Sequence, residues 1–110
     1  MASLDMNELL KDMLKAVKKS LEAKWPQVRD LATSEFRKFA QNIEDIKEMK
    51  SKGTITLEQA RLQLDIQKNS IKTVLLTEEG LGLLAVEAAI NAAIDVAKGA
   101  VNTVIGWALL

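Results

Sequence analysis

Five polar side chains near the C-terminus have the spacing to converge on one place: Glu87, Asn91, Asp95, Lys98 and Asn102. At about 100° per residue they fall within an arc of roughly 80° on a helix. Turned inward, they would line a polar channel or pocket. Turned outward, they form a solvated edge, which is the simpler account because the groups that usually accompany a reactive site are missing. The chain has no histidine, cysteine or tyrosine. It therefore lacks the usual general base near neutral pH, thiol nucleophiles and imidazole or thiolate metal ligands. A helical di-iron site needs Glu-x-x-His, which this chain cannot supply. The segments "KGTITLE" and "EEGLGLL" have neither the spacing nor the lysine of a phosphate loop. Glu44, Asp45 and Glu48 cluster, but Lys47, Lys50 and Lys52 surround them, as on a solvated mixed-charge face. No catalytic, cofactor-binding or metal-binding residues are assigned, and the expectation is a protein that is not an enzyme.

The elements that carry these residues are helices. Apolar residues make up 48% of the 110 and aromatics only 4%, so the core must be built from Leu, Ile, Val and Ala in one helical domain, 1–110. The absence of cysteine and of a signal-peptide hydrophobic stretch points to the cytoplasm. The formal charge is zero but uneven: residues 1–40 carry a net +2, residues 41–75 a net +1 and residues 76–110 a net −3. Lys11, Lys15, Lys18 and Lys19 form a basic stripe without interleaved aromatics, diluted by Asp12 and Glu22. It reads as a solvated face opposite Leu10, Leu14, Val17 and Leu21, and not as a nucleic-acid site.

Apolar spacing of three and four predicts helices near 5–24, 26–51, 57–76 and 80–109. Asp5 is placed to cap the first. Pro26 ends one helix and opens the next. Gly53 suits a left-handed residue after a helix end, and Thr56 with Gln59 spells a capping box. Thr77 with Glu78 and Glu79 resembles a further start. Leu62 and Ile66 give the third helix a second apolar face. The expected architecture is all-α, an up-down four-helix bundle. If the breaks at Pro26 and at Gly80–Gly82 fail, the alternative is a two-helix hairpin of roughly 70–80 Å that dimerises into a four-helix bundle.

The last segment, "LLAVEAAINAAIDVAKGAVNTVIGWALL", decides the expected function. Its polar stripe leaves roughly three-quarters of the helix circumference apolar. Ala85, Ala92, Gly99 and Gly106 recur every seven residues with Ala88 beside them, a seam along which another helix can approach closely. One of the chain's own helices is the simplest occupant; a second copy or another protein is the alternative. Trp107, Leu109 and Leu110 lie where a chain normally frays, and burying such side chains is worth about 1.5–3 kcal/mol each. The expected interface is therefore Ala85, Ala88, Ala92, Gly99, Gly106, Trp107, Leu109 and Leu110. The expected function is helix–helix assembly, as a homo-oligomer or with a protein partner. Two alternatives are a membrane-associating or pore-forming protein whose last helix inserts in lipid, and a carrier of a small apolar ligand. Against a span, the longest uncharged run, 99–110, is shorter than the roughly 20 residues a bilayer requires.

Overall fold

The computed structural model describes residues 5–78 and 80–110, and it is all-helical. Helix α1 runs Met6–Leu21, a short 3₁₀ turn covers Glu22–Lys24, and α2 runs Trp25–Ser51; α3 is Leu57–Leu75 and α4 is Leu83–Ile105.

Asp5 starts α1 as its spacing predicts. Its carboxylate accepts from the amides of Asn7 at 3.0 Å and Glu8 at 3.2 Å, two donors that have no partner inside the helix. The buried face is Leu9, Met13, Val17 and Leu21, with Met6, Leu10 and Leu14 flanking it. The expected face is thus rotated slightly, and Leu9 replaces Leu10 at its centre.

The first reversal lies earlier than the proline. From Met6 to Ser51 the chain is a helical stretch of 46 residues, which would measure about 69 Å if straight. The longest dimension of the molecule is 43 Å, and α1 packs on α2, so the stretch folds back. Glu22 makes the corner at φ 49° and ψ −111°. Pro26 sits in the first turn of α2, where its missing N–H leaves no bond unmade. The extended 70–80 Å hairpin is accordingly not the form seen.

The α2–α3 connection follows the local signals. Gly53 has φ 70°; its amide donates to the Lys50 carbonyl at 3.0 Å and that of Thr54 to Met49 at 2.9 Å. These two bonds close the helix end in the Schellman pattern. Thr56 accepts from the Gln59 amide at 3.1 Å, and the Gln59 side chain accepts from the Thr56 amide at 2.9 Å. Both halves of the capping box are present.

The α3–α4 connection departs from expectation. Thr77 does not open a helix: its hydroxyl donates to the Val74 carbonyl at 2.6 Å and closes α3. Glu78 lies in a bend, and Glu79 lies outside the described residues. Helix α4 begins at Leu83 behind Gly82 and ends at Ile105, with Gly106 left-handed at φ 81°. The expected range of 80–109 is therefore trimmed at both ends.

One apolar cluster runs through all four helices, centred on Phe36, Phe39, Met13, Ile43 and Ile71. The most extensive packing is α1 on α4, followed by α2 on α3 and α1 on α2, and α3 touches α4 more lightly.

Candidate interaction surface

The inward face of α4 is Val86, Ala89, Ile90, Ala93, Ala97, Val101 and Ile105. Its small residues, Ala89, Ala93 and Ala97, recur every four positions, so a neighbouring helix can come close along them. This helix therefore carries two alanine tracks. The one that the chain itself uses is not the expected one.

The expected seam points away from the core. Ala85, Ala88, Gly99 and Gly106 are exposed and Ala92 is half-buried. Filling of this groove by one of the chain's own helices, the simplest expectation, is thus corrected. Val96, 53% exposed, flanks that outer surface, whereas Leu84, 84% exposed, lies in line with the polar stripe. A Cβ built on Gly99 meets no heavy atom within 4 Å. Nothing in the chain's own packing requires a glycine there, although a helix-interior glycine costs about 1 kcal/mol relative to alanine.

Charges border this surface on two sides. On one side lies the polar stripe: Asn91, Asp95 and Lys98 are exposed, while Glu87 and Asn102 are half-buried. The stripe does not close into a pocket. Glu87 and Asn91 edge a groove toward α3, beside Lys68, Asn69 and Lys72, and Asn102 is engaged by the C-terminal tail. On the other side, the groove between α1 and α4 is lined by Asp12, Lys15, Ala16, Lys19 and Val96. Among the described residues, Asp12, Lys15, Lys19, Asp95 and Lys98 have no ion-pair partner; the four ion pairs are Arg29–Asp30, Lys38–Glu35, Lys52–Glu48 and Lys68–Asp65.

Trp107, Leu109 and Leu110 fold back instead of fraying. After the left-handed Gly106, the amides of Leu109 and Leu110 donate to the Asn102 side-chain oxygen at 3.0 and 2.9 Å. The Asn102 amide group donates to the Leu110 carbonyl at 3.3 Å. Arg61 donates through Nε and a terminal nitrogen to the Ala108 carbonyl, at 3.0 and 2.6 Å. The Lys50 ammonium donates to the Ile105 carbonyl, one of those left without an intrahelical partner. Leu109 is buried in the chain's own core, and Trp107 and Leu110 are half-buried against it. Of the eight expected interface residues, the structure brings Ala85, Ala88, Ala92 and Gly99 onto one open face, and places the tail residues elsewhere.

Two features escape the sequence. Glu35 is 4% exposed; its carboxylate accepts from the Lys38 ammonium at 2.9 Å and from the Ser70 hydroxyl at 3.3 Å. No local signal marks it as buried beyond its helical phase with Ala32 and Phe39. Leu62 and Ile66, by contrast, are 60% and 62% exposed on α3. Their second apolar face, legible in the spacing, is left uncovered.

Among the described residues, no group of three or more acidic, histidine or cysteine side chains is placed to hold a metal ion. No helix there is long and apolar enough to cross a membrane. No protein-family model, curated protein or solved structure matches the chain.

Proposed function

We propose that this is a non-enzymatic interaction protein that assembles by helix packing on the outer face of α4. The observation that carries the reading is the exposure of Ala85, Ala88 and Gly99 along one side of α4, with the 53% exposed Val96 on its flank. Such a surface is flat, apolar and able to admit a helix at the short end of the usual 8–10 Å separation. An uncovered apolar patch of this kind marks an interaction site in monomeric proteins.

The frame that presents it is read as an up-down-up-down four-helix bundle. Three observations support that topology: the 43 Å long dimension, the packing of each helix on the next, and the closure of the ring by α1 on α4. The Lys24 ammonium would lie 2.7 Å from a Cβ built on Gly80, so the first and third connections share one end of the molecule. Helix α1 then runs antiparallel to α4.

The test is to place a photoreactive amino acid at Ala92 in cells that make the protein, with Asp65 on the exposed side of α3 as the control. A discrete cross-linked adduct from position 92 and none from position 65 is the expected result. Position 92 yielding no adduct would overturn the reading. The apolar-ligand carrier gains no support, since the groove that touches this face is open and edged by charges.

Exposed leucines at one end of the fold favour a second reading, contact with a lipid surface. Leu76, Leu83 and Leu84 are all exposed around the α3–α4 connection, where they could dip into the interfacial layer without any helix spanning it. Co-flotation with liposomes that is abolished by Leu84→Asp is expected on that reading. A chain that stays in the aqueous fraction at every lipid charge would remove it.

A further inference from the structure

We infer that α1 exchanges between two copies of the chain: the corner at Glu22 straightens, α1 and α2 join into one rod, and each α1 seats on the α4 of the other copy. The partner is a second copy because that chain carries the helix made for the vacated groove. This inference does not rest on the outer face of α4, and either can fail without the other.

The corner depends on one residue. Leu21 (φ −91°, ψ −19°), Lys24 (φ −83°, ψ −11°) and Trp25 (φ −55°, ψ −46°) are all helical, and Ala23 lies in the 3₁₀ turn between them. The Glu22 amide still donates to the Lys18 carbonyl, as in a continuing helix. Its own two dihedrals, 49° and −111°, turn the chain back. Rotating them to helical values removes the strain of a Cβ at positive φ and leaves one helical stretch from Met6 to Ser51. Pro26 works against this, since the Glu22 carbonyl then finds no donor and the rod bends. The strain relieved and the bond lost are of similar size, so chain concentration sets the balance between the two forms. Short connections under strain are where elements exchange between copies.

An opened α1 needs a cover. Its Leu9, Met13, Val17 and Leu21 are buried in the closed chain, and its most extensive packing is on α4. The α1 of a second copy restores every one of those contacts, a match that identity of sequence guarantees. Direction also agrees. Helix α1 folds back on α2 in the closed chain, so the joined rods of two copies must run in opposite directions. A two-fold axis through the hinges produces that relation.

A separate observation marks the end of the molecule where the two copies meet. The first and third connections share that end, with the Lys24 ammonium beside Gly80. Leu83 opens α4 there. It stands three residues before Val86 and seven before Ile90, on the inward side of the helix. It is nevertheless 49% exposed, since the buried face of α4 starts only at Val86. In the exchanged pair the two bodies abut at this end, and each covers the Leu83 of the other.

The chain has no cysteine, so spin labels can be placed on the full chain at Lys11→Cys and Asp45→Cys, both exposed positions. They are 34 residues apart, about 51 Å along a joined rod. The closed molecule folds them together within a longest dimension of 43 Å. Labelled chain is refolded from urea with an excess of unlabelled chain over a concentration series. Sedimentation then gives the mass, and double electron–electron resonance gives the intrachain distance. The expected result is a species at twice the 12.1 kDa chain mass that grows with concentration and shows a distance of about 50 Å. Glu22→Gly, which frees the corner of strain, is expected to weaken dimerisation about tenfold or more, whereas Glu22→Ala keeps the Cβ and retains it. Leu83→Asp is expected to weaken it about tenfold through the end contact. A chain that stays monomeric at every concentration overturns the inference, and if it co-floats with liposomes the leucine end belongs to lipid. A dimer that keeps the short distance overturns it as well. Dimerisation of Glu22→Gly equal to the parent refutes the role of the corner, and an unchanged dissociation constant for Leu83→Asp refutes the end contact.

Discussion

The Lys50 ammonium sits 5.0 Å from the centroid of the Trp107 ring while it donates to the Ile105 carbonyl. One side chain from the end of α2 thus binds the negative end of α4 and holds an indole across the chain that follows it. The contact joins helices distant in sequence and fixes the tail that buries Leu109.

Lys50→Met keeps the aliphatic stem and removes the charge. The loss comprises a charge-assisted hydrogen bond to a helix C-terminus and a cation–π contact, together about 1–2 kcal/mol. Urea unfolding followed by circular dichroism measures it, and Trp107 fluorescence reports release of the ring. A loss below about 0.5 kcal/mol would mean that the tail is held without Lys50.

Glu22 carries the first reversal at φ 49° and ψ −111°, a region that side chains with a Cβ rarely occupy. Such a residue stores about 1–3 kcal/mol of backbone strain. Glu22→Gly should relieve more than it adds to the entropy of the unfolded chain, for a net gain of about 1 kcal/mol. In a chain of this size that is a rise in Tm of roughly 4–8 °C. Glu22→Ala is the control: it removes the same carboxylate but retains the Cβ, and should give no gain. Equal effects of the two substitutions would assign the change to charge instead of backbone.

The contrast between Gly53 and Glu22 shows how far the sequence could be read. Gly53, Thr56 and Gln59 act through bonds made within six residues, so their letters alone describe the turn. The reversal at Glu22 has no such letter, because packing of α1 on α2 and α4 imposes it on a residue that does not favour it. The inside of α4 was illegible for another reason. Alanines spread over about half of the helix circumference, so the seven-residue track through Ala85, Ala92 and Gly99 and the four-residue track through Ala89, Ala93 and Ala97 compete on nearly equal terms. Only the shape of α1 decides between them. The tail misled because composition says where apolar side chains are, not that Asn102 and Gly106 will turn them back.

Glu35 gives a test of what a buried carboxylate does here. Each of its carboxylate oxygens has a partner, Lys38 on one side and Ser70 across on α3. Only the carboxylate is removed from water, since the Lys38 side chain is 61% exposed. The cost of burying it offsets much of what its partners return, so a flexible apolar replacement is tolerated. Glu35→Met should fall within about 1 kcal/mol of the parent or exceed it. Ser70→Ala, which strips a partner while keeping the charge, should lose about 1 kcal/mol. Thermal unfolding of both variants checks the order. A loss above about 2 kcal/mol for Glu35→Met would show that the pair itself stabilises the α2–α3 contact.

Gly99 separates the needs of the single chain from those of the assembly. A Cβ at this position meets nothing within 4 Å, and the backbone there is ordinary helix. For an isolated chain, Gly99→Ala should therefore stabilise by about 1 kcal/mol, since glycine weakens a helix interior through backbone entropy. On the proposed assembly face, the same substitution adds a methyl where a partner helix approaches and pushes the two helices apart. Assembly through that face should weaken about tenfold, equivalent to 1.4 kcal/mol. Chemical unfolding at low concentration reads the first effect, and sedimentation over a concentration series reads the second. Opposite signs would identify close helix approach as the reason for the glycine. A variant that gains stability and still associates as tightly as the parent would place the contact on another face.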